Sequence, residues 1–143
     1  MAEPRTAVET ALRALRHRDL SVREVEERLR AKGFPESERD DALATLERTG
    51  LVDNSRFAET RARSLAARGA GDRAIRHALR HAGVESEAIE DALQRLAPES
   101  ERAAAIVTRR GVGPKTARYL RGKGFSEDVV AAVVAGASDD ELG

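Results

Sequence analysis

Apolar residues along the chain recur at helical spacing, and the helices themselves recur with a longer period. The repeated pattern is an apolar residue, a second one four positions later, a glycine after four more, and a bulky apolar residue directly following it. Fixed-period self-similarity is characteristic of repeat architectures, so the pattern predicts an internal array. The copies lie 50 and then 41 residues apart, the third being degenerate: Val25, Leu29, Gly33 and Phe34; Ile75, Leu79, Gly83 and Val84; Thr116, Leu120, Gly124 and Phe125.

Each copy falls in the second helix of a predicted three-helix unit. Ser21 and Glu24 form the pattern of a capping box at the start of such a helix, and Gly33 fits the left-handed position just past its end. Asp53 is expected to cap the first helix of the next unit. The sequence contains no run of alternating β-branched residues, so no strand is predicted. The predicted fold class is all-α, an elongated array of three tandem three-helix repeats over residues 1–50, 51–98 and 99–143, the last with a frayed acidic end from residue 136.

The units are expected to bury small local cores and to depend partly on their neighbours for stability. Arg39 stands where the repeat places Ile89 and Val130, so the third helix of the first unit is expected to pack less tightly. The predicted core residues are Leu15, Leu29, Leu43, Leu65, Leu79, Leu93, Leu120 and Val134.

Composition agrees with small cores, since 35% of the 143 residues are charged and only 3% are aromatic. Lys+Arg and Asp+Glu balance at 25 each, but the charges are segregated. Residues 56–82 carry seven Arg against Glu59 and Asp72, and residues 102–123 carry seven Lys or Arg and no acid. This distribution makes a basic face possible on a neutral protein.

Several classes of site are disfavoured by the residues present. The absence of cysteine excludes a disulfide framework and thiolate chemistry, and it fits a reducing compartment. His77 and His81 are spaced for a shared metal but lack a third ligand. The apolar runs are far too short to span a bilayer. We therefore expect a soluble cytoplasmic protein that is not an enzyme and has no cofactor, no metal and no membrane association.

Several segments stand out by their order and spacing. They are residues 11–34 (ALRALRHRDLSVREVEERLRAKGF), residues 50–53 with Phe57 and Ala58, residues 71–75 with Leu79, Gly83 and Val84, and residues 119–126. Together these segments resemble the RecX proteins, regulators of the RecA recombinase that are built of tandem three-helix repeats. The resemblance runs over nearly the whole chain, although the sequence from Gly111 to Pro114 is unusual for the family's third unit.

The resemblance implies a regulatory protein without catalytic residues that lies in the helical groove of the RecA–DNA filament. Such a protein is expected to modulate, and mainly to inhibit, the ATPase, strand-exchange and coprotease activities of RecA. The implied partners are the RecA filament and single- or double-stranded DNA, and the acting species is expected to be a monomer.

Basic residues crowd the second helices of the last two units. The equivalent helix of the first unit, residues 23–32, mixes three Glu among its bases, so the enrichment is selective. Cations on such helices bind phosphates and release counterions. The candidate filament- or DNA-binding residues are Arg73, Arg76, Arg80, Arg109, Arg110, Lys115, Arg118, Arg121 and Lys123.

An alternative function is suggested by the segment Gly111–Ala117. It resembles the hairpin of helix-hairpin-helix modules, in which glycines bring backbone N–H groups close to a phosphate at a helix N-terminus. The repeat already requires a turn at this place, so a structural turn is the preferred interpretation. A stand-alone DNA-binding module is the competing hypothesis.

Overall fold

The fold is a succession of short helices. The computed structural model describes the backbone of residues 4–142 and the side chains of residues 4–135. This part of the chain contains nine helices and no strand, so the predicted all-α class is confirmed. The side chains of the acidic end, for which fraying is predicted, lie outside the described residues. The helices are α1 (Ala7–Leu15), α2 (Val22–Ala31), α3 (Glu36–Arg48), α4 (Asn54–Ala67), α5 (Asp72–His81), α6 (Ser86–Gln94), α7 (Glu99–Arg110), α8 (Pro114–Gly122) and α9 (Glu127–Leu142).

Three separate apolar cores are enclosed by three consecutive helices each. Leu29 and Leu46 lie at the centre of the first core, Ile75 and Leu79 in the second, and Leu120 in the third. Every pair of helices that packs extensively belongs to one such unit. The tandem three-helix organisation is thereby confirmed, while the proposed limits of 1–50, 51–98 and 99–143 stay a prediction.

The repeated sequence pattern occupies the same place in each unit. Its leucines are fully buried, and its glycines follow the end of the second helix with a left-handed backbone. A side chain with a Cβ is costly in that conformation, which explains glycine at this turn. The equivalent glycines are Gly33 at φ +89°, Gly83 at φ +86° and Gly124 at φ +91°.

The predicted helix caps are present. The Ser21 hydroxyl accepts from the backbone N–H of Glu24 at 3.1 Å, and the Glu24 carboxylate accepts from the backbone N–H of Ser21 at 3.1 Å. Asp53 accepts from the backbone N–H groups of Ser55 and Arg56 at the start of α4. Each cap satisfies N–H groups that a helix leaves unpaired at its N-terminus.

Three of the predicted core residues, Leu15, Leu65 and Val134, are only half-buried. In α1 the residues at the centre of the packing are the small Ala7 and Ala11. Alanines let neighbouring helices approach closely, and the larger side chains then flank the contact at the edge of the core. The pattern predicted the correct helices but overstated the burial of these three residues.

Arg39 is accommodated by polar contacts. Its Nε donates to the Glu26 carboxylate at 3.0 Å and its Nη1 donates to the Phe34 carbonyl at 2.6 Å. The expected looser packing of α3 stays a prediction. A guanidinium with a carboxylate and a carbonyl partner takes the place that Ile89 holds in the second unit.

The second helices of the three units stack end to end. The Ser21 hydroxyl at the start of α2 donates to the Ala82 carbonyl at the end of α5, at 2.6 Å. The Gly71 N–H at the start of α5 donates to the Lys123 carbonyl at the end of α8, at 2.8 Å. Ser21 and Gly71 are repeat equivalents, as are Ala82 and Lys123. At the first junction a hydroxyl thus satisfies a carbonyl at a helix end, and at the second junction a backbone N–H does so.

The junction between the second and third units has further polar contacts. The Glu99 carboxylate accepts from the Asp72 N–H at 2.6 Å and from the Ser126 hydroxyl at 2.9 Å. Arg102 forms an ion pair with Asp72 and donates to the Ala70 carbonyl at 2.9 Å. These contacts join the third unit to the start of α5.

Candidate nucleic-acid interface

The cations of α5 lie on the side of the helix opposite its buried face. Ile75 and Leu79 are fully buried, whereas Arg73 and Arg80 are exposed. Arg73 and Arg80 are seven residues apart, or about two helical turns, and so they lie on one face about 10 Å apart along the helix. Among the described side chains, neither has a carboxylate within ion-pair distance.

Arg76 differs from its two neighbours on α5. Its guanidinium donates two hydrogen bonds to the Glu90 carboxylate of α6, at 2.7 and 3.1 Å. The hydrogen bond raises the pKa of Arg76 and lowers the pKa of Glu90. Arg76 is thereby committed to cross-helix pairing, which weakens its candidacy as a phosphate contact.

The pair Arg76–Glu90 has a charge-reversed counterpart in the first unit. Glu26 is the repeat equivalent of Arg76, and it accepts from Arg39 of α3 at 3.0 Å. Both pairs tie the second helix of a unit to its third helix. The second unit therefore presents the cation on its second helix where the first unit presents the anion.

The cations around the start of α8 are exposed. Lys115 and Arg118 lie three residues apart on α8, and Arg109 and Arg110 end α7 just before it. The Arg110 guanidinium lies over the Tyr119 ring, 3.7 Å from its centroid. Stacking of this kind holds the guanidinium plane in place while leaving its edge for other partners.

The cations at the other end of α8 have different surroundings. Arg121 donates to the Glu127 carboxylate at 2.8 Å. Lys123 is half-buried, and its side chain approaches Gly69 across the unit junction. These two residues serve contacts within the protein, and Arg110 is stacked on Tyr119. The exposed candidates with neither an ion-pair partner nor an aromatic contact among the described side chains are Arg73, Arg80, Arg109, Lys115 and Arg118.

The helix stacking brings cations from different units together. Arg73 donates its backbone N–H to the Gly124 carbonyl at 3.1 Å, next to Lys123. At the other junction, the Arg23 side chain lies 3.4 Å from the carbonyl of His81, beside Arg80. Arg23 is not among the candidates predicted from the sequence. Its equivalence to Arg73 in the 50-residue period was the available signal.

The segment between α7 and α8 forms a tight turn. Gly111 has φ +87° and Gly113 has φ +132°, and Pro114 begins α8. The Thr116 hydroxyl donates to the Gly111 carbonyl at 2.7 Å, which ties the turn to the helix. The local contacts agree with the preferred interpretation of a structural turn, although Val112 is 41% exposed at its tip.

Other kinds of site have little support in the part of the chain that the structure describes. No group of three or more His, Asp or Glu side chains is placed to hold a metal ion there. None of the described helices has the length and apolar character that crossing a membrane requires.

Comparison with known proteins identifies the family. The first three-helix domain of RecX matches residues 7–46, and the second three-helix domain of RecX matches residues 53–93. These two matches together span more than half of the chain. The chain belongs to the RecX family.

Curated relatives extend the match beyond these two domains. The regulatory protein RecX of Halorhodospira halophila is 31% identical, and the alignment covers 93% of this chain and 89% of the relative. The regulatory protein RecX of Chromohalobacter salexigens is 34% identical, with 91% of each chain covered. This RecX chain is accordingly a regulatory protein and not an enzyme.

Solved RecX structures share the fold. The crystal structure of RecX from Lactobacillus salivarius superposes with a TM-score of 0.79 at 21% identity, covering 92% of this chain and 94% of the other. A second regulatory protein RecX superposes with a TM-score of 0.76 at 24% identity, covering 89% and 70%. At these identities the similarity shows a shared fold, the arrangement of three-helix repeats.

Proposed function

We propose that this chain regulates the RecA recombinase, mainly as an inhibitor, by binding in the groove of the RecA–DNA filament. In this proposal it modulates the ATPase, strand-exchange and coprotease activities of RecA without catalysing a reaction. It acts as a monomer in the cytoplasm, where RecA filaments assemble on DNA. Membership of a family of regulatory proteins is the basis for the choice of partner.

The observation that carries the proposal is the end-to-end stacking of α2, α5 and α8. The stack continues through all three units, and its two junctions are held by hydrogen bonds from Ser21 to Ala82 and from Gly71 to Lys123. An array of units joined in this way can contact a filament groove at several places. Several weak contacts along such a line add up to strong binding through avidity.

The distribution of charge supports contact with a DNA-containing filament. Five of the exposed candidate cations on the last two units have neither an ion-pair partner nor an aromatic contact among the described side chains, so they can bind phosphates without first breaking an internal pair. Each phosphate that they neutralise releases condensed counterions and makes binding sensitive to salt. The cations concerned are Arg73, Arg80, Arg109, Lys115 and Arg118.

The proposal is tested by co-sedimentation with RecA filaments preformed on single-stranded DNA. We expect the protein to pellet with the filaments at salt concentrations where it no longer binds the same DNA alone. Equal retention by naked DNA and by filaments would contradict a specific role on RecA. Sedimentation velocity of the free protein tests whether the acting species is a monomer.

The second candidate is a stand-alone DNA-binding module that uses the turn from Gly111 to Ala117. The exposed Val112 at the tip of this turn is the observation that favours it. In that case naked DNA would be bound as tightly as filaments, and RecA would be affected only through competition for DNA. The same co-sedimentation experiment separates the two candidates.

A further inference from the structure

A groove of about 540 Å3 lies in the first unit, between α1 and α2. Leu20, Val25 and Leu29 form its apolar floor, together with the half-buried Phe34. Grooves of this size, about 300–1,000 Å3, are typical of sites that hold a ligand or an anchoring side chain. Its rim carries Arg5, Arg13, His17, Arg28 and Lys32.

The charge of the groove has one sign. No Asp or Glu lines it, and within the described part of the chain its Arg and Lys residues form no ion pairs. A neighbouring acid, Glu26, is already paired with Arg30 and Arg39. A basic rim over an apolar floor matches an occupant that carries negative charges beside an apolar side chain.

The position of the groove within the repeat indicates how it is filled. It lies at the end of α2, and the equivalent helix ends in the other two units are covered by the preceding unit. Ala82 accepts from Ser21 and is 9% exposed, and Lys123 accepts from Gly71. At Gly33, by contrast, an added Cβ would meet nothing within 4 Å. The first unit therefore offers a covering position that the described chain leaves open.

The apolar residue that follows the repeat glycine is also more exposed in the first unit than in the other two. Val84 is 5% exposed and Phe125 is fully buried in the units that have a covering neighbour. Phe34, at the equivalent place in the first unit, is only half-buried. An occupant of the open position would bury the rest of the Phe34 ring.

The chain's own contacts define the kind of occupant. In both junctions the covering element is the N-terminal end of a helix, which supplies donors to the carbonyls of the helix end below it. Acidic residues are favoured in the first turn of a helix by its dipole, and they would pair with Arg28 and Lys32. The exposed start of α8 in a second copy is unsuitable, because Lys115 and Arg118 would face these same cations.

We propose that this groove binds an acidic, amphipathic helical segment of a partner protein, with the N-terminal end of the segment directed at Gly33. Acidic side chains of its first turn pair with Arg28 and Lys32, and an apolar side chain enters the groove beside Phe34. The site is separate from the cations of α5 and α8, so it stands independently of the proposed action on filaments.

The test uses the full chain and a fluorescein-labelled synthetic peptide with Asp and Glu in its first turn and leucines four residues apart. Fluorescence anisotropy is expected to show saturable binding that weakens with added salt. The double substitution Arg28→Glu and Lys32→Glu should lower the affinity roughly tenfold or more, because like charges then face the peptide. The matched control, Arg48→Glu with Arg63→Glu, changes two exposed cations outside the groove and should leave the affinity unchanged.

Three results would overturn the proposal. They are the absence of saturable binding by the unsubstituted protein, equal binding of a peptide in which Gln and Asn replace Glu and Asp, and displacement of the peptide by a short DNA oligonucleotide. The last result would make the groove part of a nucleic-acid surface. Phe34→Ser, with circular dichroism as a folding check, should also weaken binding, and an unchanged affinity would contradict the apolar anchor.

Discussion

The backbone of Gly124 lies so close to Gly71, across the junction of the second and third units, that Gly71 cannot carry a larger side chain without a clash. A Cβ placed on Gly71 would lie 2.6 Å from the carbonyl oxygen of Gly124 and would also collide with the backbone nitrogen of Phe125. Gly71 has an ordinary φ of −82°. Its requirement for glycine is therefore one of space and not of backbone conformation.

Gly71→Ala is expected to destabilise the protein by about 1–3 kcal/mol, because backbone atoms must shift to relieve the clash. The measurement is urea unfolding followed by circular dichroism. Gly122→Ala is the matched control, since Gly122 is in α8 and a Cβ there would meet nothing within 4 Å. That control should be neutral or stabilising by up to about 1 kcal/mol. Equal unfolding midpoints for the two variants would contradict the close approach.

Leu79→Ala should cost about 2–5 kcal/mol of unfolding free energy, because Leu79 is fully buried and its truncation leaves a cavity. Leu51→Ala is a suitable comparison, since Leu51 is 48% exposed. Its effect should stay within about 0.5 kcal/mol. A loss near zero for Leu79→Ala would mean that this leucine does not contribute to the core of the second unit.

Arg73→Glu with Arg80→Glu should weaken binding to DNA and to filaments and should flatten the salt dependence. The slope of log K against log salt falls by about 0.9 for each lost phosphate contact on duplex DNA. The experiment is a fluorescence titration at several salt concentrations. Arg76 is left unchanged, because its replacement by Glu would place a second carboxylate beside that of Glu90.

Gly113→Val provides the contrasting variant. The φ of +132° at Gly113 is unfavourable for a β-branched residue, so the substitution should disturb the local turn or the folding of the third unit. Circular dichroism and thermal unfolding monitor this effect. If the Gly113 variant stayed folded and lost DNA binding while the double Glu variant bound normally, the stand-alone DNA-binding module would be the better description.

Glu90→Gln should remove a pH-dependent contribution to stability. The hydrogen bond from Arg76 lowers the pKa of Glu90 below its usual value, so the stabilisation is present above the unfolded-state pKa and is lost as pH falls through the folded-state pKa. The variant should thus be less stable than the parent at neutral pH, with a difference that shrinks in acid. Glu90 is half-exposed, and added salt should reduce the difference as well. A difference independent of pH would refute this pairing.

The local features of the fold could be predicted because they depend on residues close in the sequence. The capping box of Ser21 and Glu24 and the left-handed glycine at Gly33 each follow from the chemistry of one helix end. The burial of Leu29 and Leu79 could be predicted from their equivalent places in the 50-residue repeat. The half-buried Leu15 shows where this reasoning was incomplete, because spacing along a helix does not reveal how closely its neighbours approach.

The contacts between units could not be predicted, because they depend on how separate helices are placed in space. Nothing near Ser21 indicates that its hydroxyl reaches the carbonyl of Ala82, and nothing near Arg76 indicates its pairing with Glu90. The candidate site was affected in the same way. Charge density selected the basic helices, but only the three-dimensional arrangement distinguishes the unpaired Arg73 from the paired Arg76.

The most direct test of the account is a titration of RecA-dependent ATP hydrolysis on single-stranded DNA. Preformed filaments and excess DNA are used, and circular dichroism verifies the fold of every variant. We predict that the protein suppresses hydrolysis at concentrations below or comparable to that of RecA and hydrolyses no ATP itself. Reversal of Arg73 and Arg80 alone should reduce inhibition partly, and additional reversal of Lys115 and Arg118 should reduce it strongly through lost avidity. Unchanged ATPase up to an excess of the protein, together with tight binding to naked DNA, would contradict the account.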